Sequence, residues 1–426
     1  MDLLIQNAHI LDPLSGLDTI SDLYLKDGLI CSVGSHPDPL PKETALIDAN
    51  GLIAAPGFVD IHVHFRDPGF PEKETVETGA AAAVAGGYTT VVMMANTKPV
   101  VDCVSVLSAL RERIREVNQT TPLHILPTAS VTKGLKGKEL SDLAAVSAAG
   151  AAGFTDDGIP LMDPVLLEEA FTVAAKLQKP VSLHEEDPRL ITENGINAGQ
   201  VSREMGLAGS PREAEISMIS RDIGIAAGTG ATVNIQHIST REGVELIREA
   251  RKKYPNIHAE ATPHHFSLTD RAVLAHGTMA KMNPPLRTEE DRLAVIEGLR
   301  DGTIESIATD HAPHTAAEKA KPFPEAPSGI IGLETALPLG ITHLVKGGHL
   351  GMMELMSRMS AGPAALYGIE TGIRPGAPAD LVLFDPDEKQ TITSFCSRSS
   401  NSPFMGEALT GVVKYTICGG RIAYRS

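Results

Sequence analysis

A chain of 426 residues with 42% apolar and 21% charged side chains exceeds one small core and suits a large domain with a smaller companion. A formal net charge of −16 argues against nucleic acid or an anionic membrane as partner, although a local basic pocket stays compatible with it. The four cysteines, Cys31, Cys103, Cys396 and Cys418, form no C-x-x-C pair and are too sparse for a disulfide framework, which fits a reducing compartment.

The opening "MDLLIQNAHILDP" has no basic leader, and no stretch reaches the ~18 apolar residues of a membrane span, so a cytoplasmic protein is expected. Short strand-like pieces come next ("LLIQNAHILD", "SDLYLKDGLICSVG", "TALIDANG"), and the last fifty or so residues repeat the style with "ADLVLFD" and "VVKYTICGGRIAYR". Between them strand alternates with helix. The strand candidates, in order, are "GFVDIHVH", "YTTVVMMA", "PLHILPTAS", "AAGFTDD", "PVSLHEE", "ATVNIQHI", "IHAEATPH" and "IESIATDHA". Most precede a segment of helical spacing, such as "CVSVLSALRERIREVN" or "REGVELIREARKKY".

Eight such units predict an α/β fold, a (β/α)8 TIM-like barrel over 55–365. Residues 1–54 and 366–426 are expected to form a small β-sandwich domain beside it. An open doubly wound sheet is the alternative, disfavoured because no G-x-G-x-x-G follows an early strand. "TAAEKAKPFPEAPSG", 315–329, reads as a mobile loop placed to cover the barrel mouth.

Polar residues fall at strand ends. His62 and His64 close the first candidate strand, Asp156 and Asp157 the fourth, His184 the fifth, His237 the sixth and Asp310 the eighth. Alternate side chains of an extended chain share a face, so His62 and His64 point together, with Arg66 beside them if the strand runs on. In a barrel, strand C-termini converge on one mouth. Imidazoles and carboxylates brought together there suit zinc or a similar divalent ion, and their number exceeds one tetrahedral site. Two metals sharing a carboxylate would use them all, as would one tight and one weak site.

Each piece alone has an ordinary explanation. An isolated H-x-H is more often accidental, a lone strand histidine is usually a core residue, and T-D-D before glycine is normally a turn or cap. Their joint occurrence at successive strand ends is what those explanations leave over. His124, His276, His343 and His349 stay outside the pattern, and His264 and His265 read as structural support.

With these motifs in place, the sequence resembles the amidohydrolase superfamily, and within it the class I dihydroorotases. The likeness runs over essentially the whole chain and rests on "PGFVDIHVHFRDPG", "ANTKP", "GFTDDG", "MNPPLR", "TDHAPH" and "GLET" in that order. It implies a zinc-dependent cyclic amidohydrolase of pyrimidine (UMP) biosynthesis, interconverting N-carbamoyl-L-aspartate and L-dihydroorotate plus water. Carried over by position, it implies two zinc ions per subunit, His62 and His64 on one, His184 and His237 on the other. Asp157 would bridge them, and Asp310 would bind the first and act as catalytic acid/base. His64, Arg66, Asn96, Asn283, His314, Ser328 and Gly329 would face the substrate, with Arg66 clamping its carboxylate. Ser328 departs from the phenylalanine usual there. Hydantoinases and dihydropyrimidinases are similar but carry a carboxylated lysine where "GFTDDG" offers aspartate. The resemblance also implies a homo-oligomer and a complex with aspartate transcarbamoylase. An inactive scaffolding relative is disfavoured, because every implied ligand is kept.

Overall fold

The computed structural model describes residues 2–426. β1 (Leu3–Asp12), β2 (Leu17–Lys26), β3 (Leu29–Val33), β4 (Ala45–Asp48) and β5 (Ile53–Pro56) come from the start of the chain. They join one sheet with β14 (Leu381–Thr391), β15 (Ala408–Cys418) and β16 (Arg421–Arg425) from its end, in the order β16-β15-β14-β5-β1-β2-β3. β1 divides one edge, pairing β4 through Leu3–Gln6 and β5 through His9 and Ile10, so the sheet branches there. One apolar cluster of this unit, built on Ile5, Leu23, Leu25, Leu381, Leu383 and Ile417, is separate from the barrel's core.

The strands between are β6 (Phe58–Val63), β7 (Tyr88–Met93), β8 (His124–Pro127), β9 (Phe154–Thr155), β10 (Val181–Leu183), β11 (Val233–Ile235), β12 (Ile257–Ala261) and β13 (Ser306–Ile307). They form two parallel sheets, β6-β7-β8 and β13-β12-β11-β10-β9. Single parallel bridges, Ala129 to Phe154 and Val63 to His311, join the sheets at both edges. The eight strands thus succeed one another around a ring, the TIM-like arrangement expected.

Helices cover the ring for local reasons. Val104–Thr120 buries Leu107, Leu110, Ile114 and Val117 at helical spacing. Pro164–Leu177 starts on a proline with Asp163 accepting from the Val165 and Leu166 amides. Arg241–Arg251, capped by Thr240, buries Val244, Ile247 and Ala250. No helix among the described residues is long and apolar enough to cross a membrane.

The segment 315–329 is irregular chain, as a loop should be, apart from one short helix. Thr315 caps a short helix, Ala316–Lys319, and two buried lysines hold the rest of the segment. Lys281 Nζ donates to the Phe323 and Ala326 carbonyls at 2.7 Å each, and Lys319 Nζ to the Pro327 and Gly329 carbonyls at 3.0 Å each. A count of Pro, Ala and Lys does not reveal which carbonyls two lysines will find.

Candidate metal centre and active site

Strand ends bring His62, His64, Asp157, His184, His237 and Asp310 to one place, and all six are buried. His62 Nε2 lies 3.3 Å from Asp157 Oδ1 and 3.4 Å from Asp310 Oδ1. His64 Nε2 lies 3.0 Å from Asp310 Oδ1 and 3.4 Å from Asp157 Oδ2. On the far side His184 Nδ1 and His237 Nε2 are 2.9 Å apart, with His237 Nε2 4.0 Å from Asp157 Oδ1. Asp157 therefore sits between the two histidine pairs. Its neighbour Asp156 turns away, accepting from the Thr132 amide at 3.1 Å and from the Thr132 hydroxyl.

Other side chains aim the imidazoles. His62 Nδ1 is 2.6 Å from Glu260 Oε1, whose second oxygen accepts from Asn234 Nδ2 at 2.8 Å. His64 Nδ1 is 2.9 Å from Asn96 Oδ1, and Asn96 Nδ2 donates to Asp157 Oδ2 at 3.2 Å. His184 Nε2 is 3.2 Å from Glu186 Oε2. Carboxylate or amide partners of this kind fix the tautomer and raise the basicity of a ligating histidine. Sequence reasoning misses Glu260 and Glu186. An acid inside the apolar strand "IHAEA" is the signal that could have found Glu260.

The residues present fit a divalent cation. His62 Nε2 is buried without a hydrogen-bond partner, directed at the two aspartates. Burial disfavours charge on His62, but Asp157, Glu260 and Asp310 outweigh it and hold the imidazole well above its usual pKa. Burial likewise opposes ionisation of Asp157, which the imidazoles of His62, His64 and His184 pull well below the carboxylate range. His237 stays neutral, pushed well down by burial and then by His184 and His62. Ionised Asp157 and neutral His237 are already in the states that metal binding requires, whereas the proton that the carboxylates hold on His62 is one a cation would displace. A third group of ligand-type residues, His124, Asp380 and Cys418, is self-satisfied. His124 Nε2 pairs with Asp380 Oδ2 at 3.1 Å, Asp380 Oδ1 accepts from the Gly419 amide at 2.6 Å, and the Cys418 thiol donates to the Thr89 carbonyl at 3.6 Å.

A cavity of about 220 Å³ opens over the cluster, and Arg66, Asn96, Asn283, His314, Ser328 and Gly329 line it together with His64. Arg66 does not continue the strand. Its backbone is left-handed (φ 58°), and its Nε donates to the Pro313 carbonyl at 3.3 Å. His237 (φ 35°) and Asp310 (φ 47°) are left-handed too. Such backbone costs on the order of 1–3 kcal/mol per residue and concentrates at functional sites. Asn283 Oδ1, His314 Nδ1 and Ser328 Oγ are buried and unpartnered. Burial, then Arg66, depresses the His314 imidazole to about 2, so it meets a ligand uncharged. Gly329 has its backbone groups engaged: the amide donates to the Lys281 carbonyl at 2.8 Å, and its own carbonyl accepts from Lys319. His265 supports the wall as expected, between Thr262 Oγ1 (2.7 Å) and the Pro284 carbonyl (3.1 Å).

Fold and site together define a metal-dependent amidohydrolase on a barrel. Among solved structures the chain is similar to L-hydantoinase from Arthrobacter aurescens, with a TM-score of 0.86 and 25% identity, covering 99% of this chain and 95% of that one. D-hydantoinase from Thermus sp. shares the fold at TM-score 0.86 and 24% identity, over 99% and 95% of the two chains. Residues 51–243 match the family model described as "Dihydro-orotase-like". The dihydroorotase of Clostridioides difficile (strain 630) is 50% identical over 425 residues, covering 100% of both chains. That of Clostridium acetobutylicum is 47% identical over 425 residues and 99% of each chain. The chain belongs to the dihydroorotase family.

Proposed function

We propose that this chain is a dihydroorotase that interconverts N-carbamoyl-L-aspartate and L-dihydroorotate plus water for UMP synthesis. One observation carries the reading: a single cavity of about 220 Å³ joins an imidazole–carboxylate cluster to a guanidinium. The cluster suits hydrolysis of an unreactive amide, and the guanidinium suits a substrate that bears a carboxylate. Hydantoins lack that carboxylate.

His62 and His64, His184 and His237 would hold two zinc ions, with Asp157 between them and Asp310 on the first. When bound, the metal supplies an acidified water and withdraws charge from the amide carbonyl. Asp310 does the proton work. In ring opening its carboxylate takes a proton from the attacking water, and the acid so formed gives that proton to the departing ring nitrogen. Cyclisation runs the same steps backwards and starts from protonated Asp310. Arg66 binds the substrate carboxylate through paired N–H donors, with uncharged His314 and Asn96 beside it. Asn283 and Ser328 offer further polar contacts, and Gly329 shapes the wall.

The enzyme works in the cytoplasm as a homo-oligomer and associates with aspartate transcarbamoylase. Its catalytic domain runs over 55–365, with 1–54 and 366–426 as the companion. The test is to record ultraviolet absorbance of L-dihydroorotate, and of a hydantoin in parallel, with zinc-supplemented protein. Metal-dependent loss of dihydroorotate alone is expected. Turnover of the hydantoin alone would overturn the reading, as would silence toward both after aspartate transcarbamoylase is added.

A further inference from the structure

The residue that draws the cavity wall together lies far along the chain, between β14 and β15. Asn401 is 2% exposed and is not among the residues lining the cavity. Its Oδ1 accepts from the His314 amide at 3.1 Å. Its Nδ2 donates to the Ala312 carbonyl at 3.0 Å and to the Gly329 carbonyl at 3.1 Å. Its own carbonyl accepts from the Ile331 amide at 3.0 Å. Two carbonyls facing Nδ2 and one N–H facing Oδ1 leave a single orientation for the amide.

These four bonds fall on both stems of the segment 315–328. The stems meet directly as well, with the Ala312 amide donating to the Ile330 carbonyl at 2.8 Å. Gly329 (φ 109°) allows that approach, since a Cβ there would stand 2.7 Å from Ala312 Cβ. The stretch that presents Asn401 is itself held. Glu334 accepts from the Cys396 amide at 2.9 Å and the Ser397 amide at 3.1 Å, Glu74 accepts from the Arg398 amide at 3.0 Å, and Ser399 Oγ donates to the Lys73 carbonyl at 2.7 Å.

We propose that Asn401 is a positioning residue for substrate binding: it clips the stem carrying His314 to the stem carrying Ser328. That sets the spacing of His314 and Ser328, which both line the cavity. The inference rests on the dihydroorotase reading of that wall. No metal ligand touches Asn401, so its loss acts on substrate affinity and leaves metal content alone. A misplaced binding group far from the chemistry costs on the order of 10²-fold, and lost uniform binding appears in KM.

The experiment compares zinc-loaded wild type with Asn401→Asp and Asn401→Ser. The aspartate keeps the acceptor for His314 and sets an oxygen against two carbonyls, while the serine keeps a smaller donor. We expect KM for L-dihydroorotate to rise roughly 10- to 100-fold in the aspartate variant and less in the serine one, with kcat and zinc content near wild type. Amide hydrogen exchange should quicken at His314 and at 329–331, with the barrel strands unchanged. Unchanged KM in a folded variant overturns the proposal, as does activity lost in step with zinc. If neither variant folds, exchange in the wild type decides: slow His314 and Ile331 amides support the clip, and rapid ones overturn it. Wild type inactive on dihydroorotate sinks the functional reading alone, and the exchange pattern still decides whether the clip exists.

Discussion

The barrel mouth and the terminal sheet are built under different rules. In the sheet, the buried polar side chains Asp12, Thr410 and Thr416 stand among an apolar majority, and the left-handed non-glycine positions are Asn7, beside a bulge in β1, and Asp27, in the turn before Gly28. Asn and Asp tolerate that conformation better than other residues. At the mouth the same backbone is imposed on Arg66 and His237 as well as Asp310, and several buried polar atoms have no partner. The sheet spends its residues on stability. The mouth accepts strain and unmet hydrogen bonds, which a bound substrate and metal would use.

Substitutions separate the two regimes. Asp310→Asn should lower kcat by at least ~10²-fold in protein brought to the wild-type metal content, and near-normal turnover would remove its acid/base role. Arg66→Met should raise KM for dihydroorotate by on the order of 10²-fold with metal intact, since a charge-assisted bidentate contact is lost; an unchanged KM would take Arg66 out of the substrate site. In the sheet, Leu381→Ala should cost about 2–5 kcal/mol in denaturant unfolding while kcat/KM of the folded protein holds. A fall in kcat/KM there would mean that the regions are not independent.

The smallest effect concerns acid. Glu318 lies 2.7 Å from Lys73 Nζ and accepts from the Thr315 amide at 3.0 Å. Burial opposes its ionisation, but Lys73 and Thr315 outweigh it and bring the carboxyl from its usual 4.5 to about 2. A depressed carboxylate stabilises the fold fully above its unfolded value, and the contribution is lost as pH falls toward the folded one. The thermal midpoint of wild type should therefore fall more steeply than that of Glu318→Gln below pH 4.5, and parallel curves would rule the linkage out.

Much of the fold and the site is legible in the sequence, and the reasons are physical. Eight apolar runs disclose the ring, and the His or Asp closing five of them discloses the cluster, because strand ends in a barrel must converge. Alternation misplaces Arg66 in detail: it assumes a strand that in fact ends at Val63, and the left-handed turn sets the direction of the side chain. The choice of Asp157 over Asp156 needs the family resemblance, because the Thr132 contact that turns Asp156 away is invisible to spacing. Glu260 and Asn401 act on His62 and His314, far away in sequence, and only the acid inside an apolar strand hints at Glu260, while Glu186 touches His184 two residues away with nothing to single it out from Glu185. β9 and β13 have two residues each, so neighbouring strands, more than their own propensity, define them.

The sheet that gathers both ends of the chain also bears on when the enzyme becomes complete. β5 pairs with β14 through Ile53–Pro56 and Leu381–Phe384, so this contact must wait while the whole barrel is threaded between the partners. Pairings of such long range form slowly, because loop closure is costly before the contact repays it. Asn401 lies beyond β14, so its clip on the mouth also joins segments far apart in the chain. On refolding, helical signal should therefore return ahead of tight substrate binding, which makes affinity one of the last properties the chain acquires.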